Sequence, residues 1–163
     1  MTQLTELSAL AGSLLKKRGD TVAVAESSAG GVISAALLAI PGASAYFKGG
    51  GVVYTSDAKQ ILIAVSDQAM NDERAATEVH ALHLARAARE RLGADWGIGE
   101  TGAAGPTGNR YGDAPGHSCI GVSGPIERAV TIETGQTDRE QNMWSFAQAA
   151  FQLLGECLRD ERS

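Results

Sequence analysis

Three consecutive glycines, Gly49, Gly50 and Gly51, sit inside residues 41–59, PGASAYFKGGGVVYTSDAK, and constrain this chain more than any other stretch. Bulky side chains cannot crowd such a run. The segment therefore reads as a turn after Pro41 and Gly42, a glycine-rich strand and a helix start near Lys59. Around the glycines stand a hydroxyl (Ser44), a phenol (Tyr54) and an amine (Lys59). Serine is a poor nucleophile until a neighbouring base takes its proton, and lysine is that base only where burial or a nearby cation lowers its pKa. Spacing alone leaves a plainer reading open, with Lys59 solvated and Ser44 acting as a cap. A strand and a turn separate Ser44 from Lys59, so contact between them has to come from tertiary folding or from a second subunit.

The 163 residues are 44% apolar, enough for one well-buried core, and a single domain over 1–163 is expected. A formal net charge of -5 argues against a nucleic-acid surface, which needs clustered lysine and arginine to displace counterions. A small anionic ligand remains compatible with a few local basic groups. Cys119 and Cys157 form no CxxC pair, so neither zinc nor a disulfide framework is indicated, and no metal or cofactor is expected. They read as small buried residues in a reducing cytoplasm, the default without a recognisable signal peptide. No apolar run approaches the roughly 20 residues needed to span a bilayer.

Leu4, Leu7, Leu10, Ala11, Leu14 and Leu15 recur at three and four, predicting a helix from Thr2 to about Arg18 that stops at Gly19. Residues 21–26, TVAVAE, alternate as a strand. Ser27, Ser28, Gly30 and Gly31 then open a second helix that runs to about Ala39. A strand that ends in a small, hydroxyl-rich turn and becomes a helix is an anion site in principle, because the first helical N–H groups have no intrahelical partner; capping by Ser27 or Ser28 is the alternative. Ser56 or Asp57 is expected to cap a short helix through Ile63, followed by a linker containing Asp67, Asn71 and Asp72. Thr77 caps a long helix to about Leu92, on which His80 and His83 read as a solvated or hydrogen-bonded pair.

Residues 94–100 read as a strand that ends before TGAAGPTGNRYGDAPGH, a loop with five glycines and two prolines. Loops of this length inside compact domains are usually functional or disordered, and leaving a buried strand favours function. Thr101, with the amides of Gly102 and Gly105 behind it, is expected to face the same cavity as the Ser27–Ser28 turn, at the carboxyl ends of the strands. Residues 118–123 and 127–133 read as an antiparallel pair, and Asp138 caps a last helix to about Leu158. The order predicts an α/β domain with a mixed sheet flanked by helices.

Taken together, AESSAGG (25–31), PGASAYFKGGGVVYTSDAK (41–59) and TGAAGP (101–106) resemble the C-terminal domain of CinA, a family that includes stand-alone nicotinamide mononucleotide deamidases. The resemblance spans nearly the whole chain. It implies a serine–lysine amidohydrolase that converts nicotinamide mononucleotide to nicotinate mononucleotide and ammonia. On the family's motifs the nucleophile falls on Ser44, the general base on Lys59 and an accompanying tyrosine on Tyr54. Substrate contacts fall on Ser27, Ser28, Gly30, Gly31, Thr101, Gly102, Gly105 and Arg139, the last within TDR where the family has GDR. The partner implied is a small pyridine mononucleotide or a related amide, bound by a homo-oligomer. The chain departs from the family pattern at the binding rim. Ser28 and Ala29 replace a cysteine and a threonine, Ala114 and His117 replace a lysine and a glycine, and Met143 replaces an arginine. A domain that holds a nucleotide without hydrolysing it is the second reading.

Overall fold

A computed structural model of the chain describes residues 2–72 and 74–161. Along it run α1 (Gln3–Arg18), β1 (Val22–Glu26), α2 (Val32–Leu38), a 3-10 turn (Ala43–Ala45), β2 (Phe47–Val52), α3 (Ser56–Ile63), α4 (Asp67–Asp72), α5 (Glu78–Leu92), β3 (Trp96–Ala103), β4 (His117–Ser123), β5 (Arg128–Glu133) and α6 (Arg139–Asp160). Hydroxyl and carboxylate caps fix most helix starts. Thr2, Thr55, Thr77 and Asp138 each accept a hydrogen bond from an amide in the first turn, of α1, α3, α5 and α6 respectively. Gly19 and Gly93 end α1 and α5 in the left-handed conformation, which costs glycine nothing.

The five strands form one mixed sheet in the order β2-β1-β3-β4-β5. β1 runs parallel to both neighbours, whereas β3, β4 and β5 are successively antiparallel. This is the α/β architecture that the alternation of periods predicts. One face of the sheet presents Val22, Val24, Trp96, Ile98, Ile120 and Val122, and these pack with α1, α2 and α6 into the larger core. The other face carries Ala23 and Ala25 against Leu84 and Ala88 of α5 and Ile63 of α3. There α5 lies almost in contact with backbone. A Cβ on Gly97 would stand 2.1 Å from the Ala85 oxygen, and one on Gly99 2.0 Å from the Ala81 oxygen. Only glycine permits that approach.

Several boundaries differ from expectation. The second helix starts at Val32, not near Ser27, because the Ser27–Gly31 stretch is a turn with Gly30 and Gly31 at positive φ. The strand expected over residues 94–100 continues to Ala103, since β4 supplies ladder partners for Thr101, Gly102 and Ala103. Thr55, not Ser56 or Asp57, caps α3. The linker after α3 contains α4, and the last helix extends two residues past Leu158, to Asp160. Among the described residues no helix is long and apolar enough to cross a membrane.

Candidate active site

β1 ends on a glutamate and β3 carries one beside it, toward its carboxyl end: Glu26 and Glu100 are register partners. Both are fully buried. Glu26 accepts hydrogen bonds from the N–H groups of Gly31 (2.8 Å), Ile33 (3.1 Å) and Ser34 (2.9 Å) and from the Ser34 hydroxyl, so a carboxylate from the preceding strand caps α2. Glu100 accepts from the Ser27 N–H at 3.1 Å, the Ala29 N–H at 2.7 Å, the Ser118 hydroxyl at 2.9 Å and the Ser28 hydroxyl. Burial pushes the Glu100 pKa up, against the pull of Ser28, Ala29 and Ser118. The Ser27–Gly31 turn therefore spends its amides on the protein's own carboxylates. Gly30 N–H is also bonded, to the Ser27 carbonyl. The anion site that this turn offers in principle is not built from these groups. Sequence reasoning missed both glutamates, although one signal was present: two apolar strands, each ending in Glu.

Lys59 sits one turn into α3 and is only 4% exposed. Its side chain makes no hydrogen bond among the described residues, and burial lowers its pKa while the nearby Glu100 carboxylate opposes that shift. Loss of hydration penalises the ammonium and shifts the balance toward the free amine. His80, buried on α5, faces the same region. Burial first, then the Lys59 and His83 charges, lower its pKa to about 4, which keeps the imidazole neutral at physiological pH. The solvated alternative for the histidine pair thus fails at His80, which the packing of α5 places inside.

Tyr54 and Arg139 do come together. Arg139, at the first turn of α6, donates to the Gly105 carbonyl at 2.5 Å and to the Tyr54 hydroxyl at 3.4 Å. Tyr54 is 60% exposed at the mouth between β2 and α3. A short distance away Met143 covers the turn: a Cβ on Gly30 would lie 2.7 Å from its methyl carbon. Three of the named substrate residues, Gly30, Gly105 and Arg139, thus gather with Tyr54 at the carboxyl end of the parallel strands.

Thr101 behaves otherwise. Its hydroxyl accepts from the Ala76 N–H at 3.0 Å, on the α5 face, because residues alternate along β3 and Glu100 takes the opposite face. It does not share the cavity of the Ser27–Ser28 turn. Gly102 lies inside β3, where a Cβ would meet the His117 carbonyl at 2.4 Å, so its role there is close strand packing. The loop that follows is narrower than the sequence suggests, covering 104–116, and it is ordered by polar contacts. Arg74 donates to Asp113 at 2.7 Å, and the Asp113 pKa falls to about 2 chiefly through that bond. His117 bridges Glu133 (2.6 Å) and the Ala76 carbonyl (2.9 Å), and Asn142 donates to the Ala104 and Gln136 carbonyls. Among the described residues no three histidine, cysteine, aspartate or glutamate side chains gather where a metal ion would sit.

Ser44 stands at the other end of the sheet. It is exposed in the 3-10 turn that precedes β2, whereas Tyr54 and Lys59 follow that strand. Within one chain the structure does not bring Ser44 and Lys59 together.

An open, mixed α/β sheet with polar groups converging at the carboxyl ends of its parallel strands belongs to the broad class of α/β domains that place ligand sites at strand ends. The particular family follows from comparison. Residues 4–158 match the family model of the CinA C-terminal domain, and the chain belongs to that family. A CinA-like protein of Gloeobacter violaceus is 41% identical over 150 residues, covering 91% of this chain and 35% of that protein. One from Synechocystis is 38% identical over 148 residues, covering 91% of this chain and 36% of that protein. The chain thus spans about a third of the length of these relatives. Among solved structures, a CinA superfamily protein of Klebsiella pneumoniae superposes with a TM-score of 0.90 at 25% identity, covering 96% of this chain and 98% of that one. The competence/damage inducible protein CihA of Agrobacterium tumefaciens gives 0.89 at 27% identity, covering 98% and 97%.

Proposed function

We propose that this protein is a serine–lysine amidohydrolase that cleaves the carboxamide of nicotinamide mononucleotide or a related amide. The observation that carries the reading is Lys59: a buried lysine whose pKa is lowered by burial and whose amine makes no hydrogen bond among the described residues. As free amine it takes the proton of a Ser44 that, with β2 between the two in one chain, comes from a second subunit, and the Oγ of that serine bonds to the carboxamide carbon. The tetrahedral adduct collapses as the nitrogen receives that proton and leaves as ammonia. Water, deprotonated in turn by Lys59, then cleaves the ester and restores the serine. Arg139 is the cation placed to meet a phosphate and Tyr54 the hydroxyl that holds it in position. Gly30, Gly31 and Gly105 shape the wall without side chains, Ser27, Ser28 and Gly102 support it from behind, and Thr101 anchors β3 to the segment before α5 on the other face. In this reading the protein works in a reducing cytoplasm, where buried Cys119 and Cys157 stay thiols.

Release of ammonia from a panel of amides and mononucleotides tests the reading. Ser44→Ala is expected to abolish turnover while ligand affinity stays within a few fold, because one small hydroxyl adds little to ground-state binding. Retention of more than about a tenth of wild-type activity would remove Ser44 from the mechanism. A wild-type protein that binds a mononucleotide and releases no ammonia is instead a silent nucleotide-binding domain.

A further inference from the structure

The turn between β1 and α2 spends its N–H groups on the protein itself. Those of Ser27 and Ala29 go to Glu100, those of Gly31, Ile33 and Ser34 to Glu26, and those of Gly30 and Val32 to the Ser27 and Ala29 carbonyls. Two buried carboxyl groups thus stand under the turn, and its outer side is apolar. The Met143 methyl carbon covers Gly30, one helical turn along α6 from Arg139 and on the same face. Val52 lies beside Gly31, where a Cβ would stand 3.5 Å from its methyl carbon. A phosphate at this end of the sheet would meet Arg139, whose guanidinium is already bonded to the Gly105 carbonyl and the Tyr54 hydroxyl, with the amides of the turn committed elsewhere. Phosphates are ordinarily gripped by several donors at once.

Gly30 and Gly31 also form part of the wall of a cavity of about 520 Å³, within the roughly 300–1,000 Å³ usual for small-molecule sites. Val32 and Ala35 of α2, Leu4 of α1 and Trp144 of α6 line it further, and none of its lining residues among those described is charged. Glycine and alanine leave the space unfilled. Trp144, the residue after Met143, keeps 41% of its surface exposed beside it, a large aromatic face without an apolar cover. We infer that the amide cleaved at this site carries an uncharged aryl remainder, which passes the contact between Met143 and Gly30 and lodges in this cavity against Trp144.

Charge and continuity both select that occupant. An anion in the cavity would find no cation in the lining, and a cation no carboxylate, whereas an uncharged ring removes apolar surface from water on every side. Stacking on the indole adds a preferred orientation. The cavity shares Gly30 and Gly31 with the turn beside Tyr54 and Arg139, so its occupant is the far end of the substrate and not a separate ligand. Met143 and Trp144 then set specificity. Met143 places a thioether, not a second cation, on the face of α6 that carries Arg139, and Trp144 gives the ring a surface to cover.

This inference rests on the amidohydrolase reading, and a binding measurement beside the activity separates the fates of the two. Trp96 is fully buried with its indole N–H bonded to Asp20, so a ligand-dependent change in tryptophan emission reports Trp144. Hydrocinnamamide is expected to change that emission saturably, with an affinity that added salt barely alters, and nicotinamide mononucleotide to bind about tenfold more weakly. In ammonia release, the kcat/KM of hydrocinnamamide relative to that of acetamide is expected to fall about tenfold in Trp144→Ala. Ala35→Phe, which fills the cavity from an exposed position on α2, should do the same, and replaces the first variant if that one fails to fold. Met143→Arg is expected to move the preference toward the mononucleotide by about the same factor. A wild type that prefers the mononucleotide, or relative rates unmoved in Trp144→Ala and Ala35→Phe, overturns the inference and leaves the amidohydrolase reading standing. Emission unmoved by hydrocinnamamide overturns it as well, and sedimentation as a dimer would then give the cavity to a second copy. Emission that responds in a protein releasing ammonia from no amide keeps the cavity as an aryl site and ends the amidohydrolase reading.

Discussion

At the scale of single residues two buried ionisable groups, Lys59 and Glu100, carry the argument. An ordinary lysine has a pKa near 10.4, so only about one in 2,500 is neutral at pH 7, too few for a general base. Burial moves Lys59 below that range, with Glu100 restraining the shift. Activity is therefore expected to rise with pH along a limb whose midpoint lies below that of an ordinary lysine, and Lys59 is the group expected to set it. Lys59→Arg should be nearly inactive at every accessible pH, because guanidinium keeps its proton. A pH–rate profile of wild type and variant decides it, and a limb that persists in the variant would assign it to another group. Glu100 is the structural counterpart. Removing its side chain in Glu100→Ala leaves two backbone N–H donors and two serine hydroxyls without their acceptor, at a cost of about 3 kcal/mol or more. Denaturant melts test this, and Glu100→Gln, which keeps one acceptor oxygen, should lose less.

At the scale of elements, the 104–116 loop is held between β4, β5 and the residues before α5 by His117. Burial disfavours the imidazolium, but the bonds to Glu133 and the Ala76 carbonyl and the charge of Asp113 outweigh it, so the pKa is raised above 6.5. The sign is then fixed. A raised folded-state pKa contributes stability that is fully present below the unfolded value and is lost as pH rises through the folded one. Hydrogen exchange in the loop should accelerate as pH is raised above 6.5, beyond the ordinary base catalysis of exchange, and the excess should vanish in His117→Gln. The same excess in the variant would show that the anchor lies elsewhere, with Asn142 and Arg74 the remaining candidates. The turn after β1 shows a complementary logic. An anion site at a helix start needs free amides, and here Glu26 and Glu100 have taken them, so the turn serves as a rigid floor and the open polar groups lie across from it on Tyr54 and Arg139.

At the scale of the whole molecule, the strand β2 stands between Ser44 and Lys59, so the proposed serine–lysine chemistry would call for a second copy of the chain. If each site takes its serine from one copy and its lysine from another, specific activity should fall on dilution through the dissociation constant of the dimer, in step with the fraction of dimer measured by sedimentation. Constant specific activity across a dilution series that yields monomers would place the whole site in one chain.

The order of elements, the capping threonines and Asp138, the glycine stops and the antiparallel pair were legible in the sequence, because helix and strand periods and cap chemistry are local properties. So was the resemblance to one family, carried by the residues of three motifs. Where those residues point was not legible. The face that Thr101 takes is set by strand parity once the last residues of β3 pair with β4, the Ser27 and Ala29 amides are claimed by Glu100, 73 and 71 residues further along the chain, and the burial of Lys59 goes with the packing of α3 on α5. The distance between Ser44 and Lys59 was hidden for the same reason. Fifteen positions of sequence carry no statement of direction, and only the pairing of β2 with β1 turns them into the length of a strand.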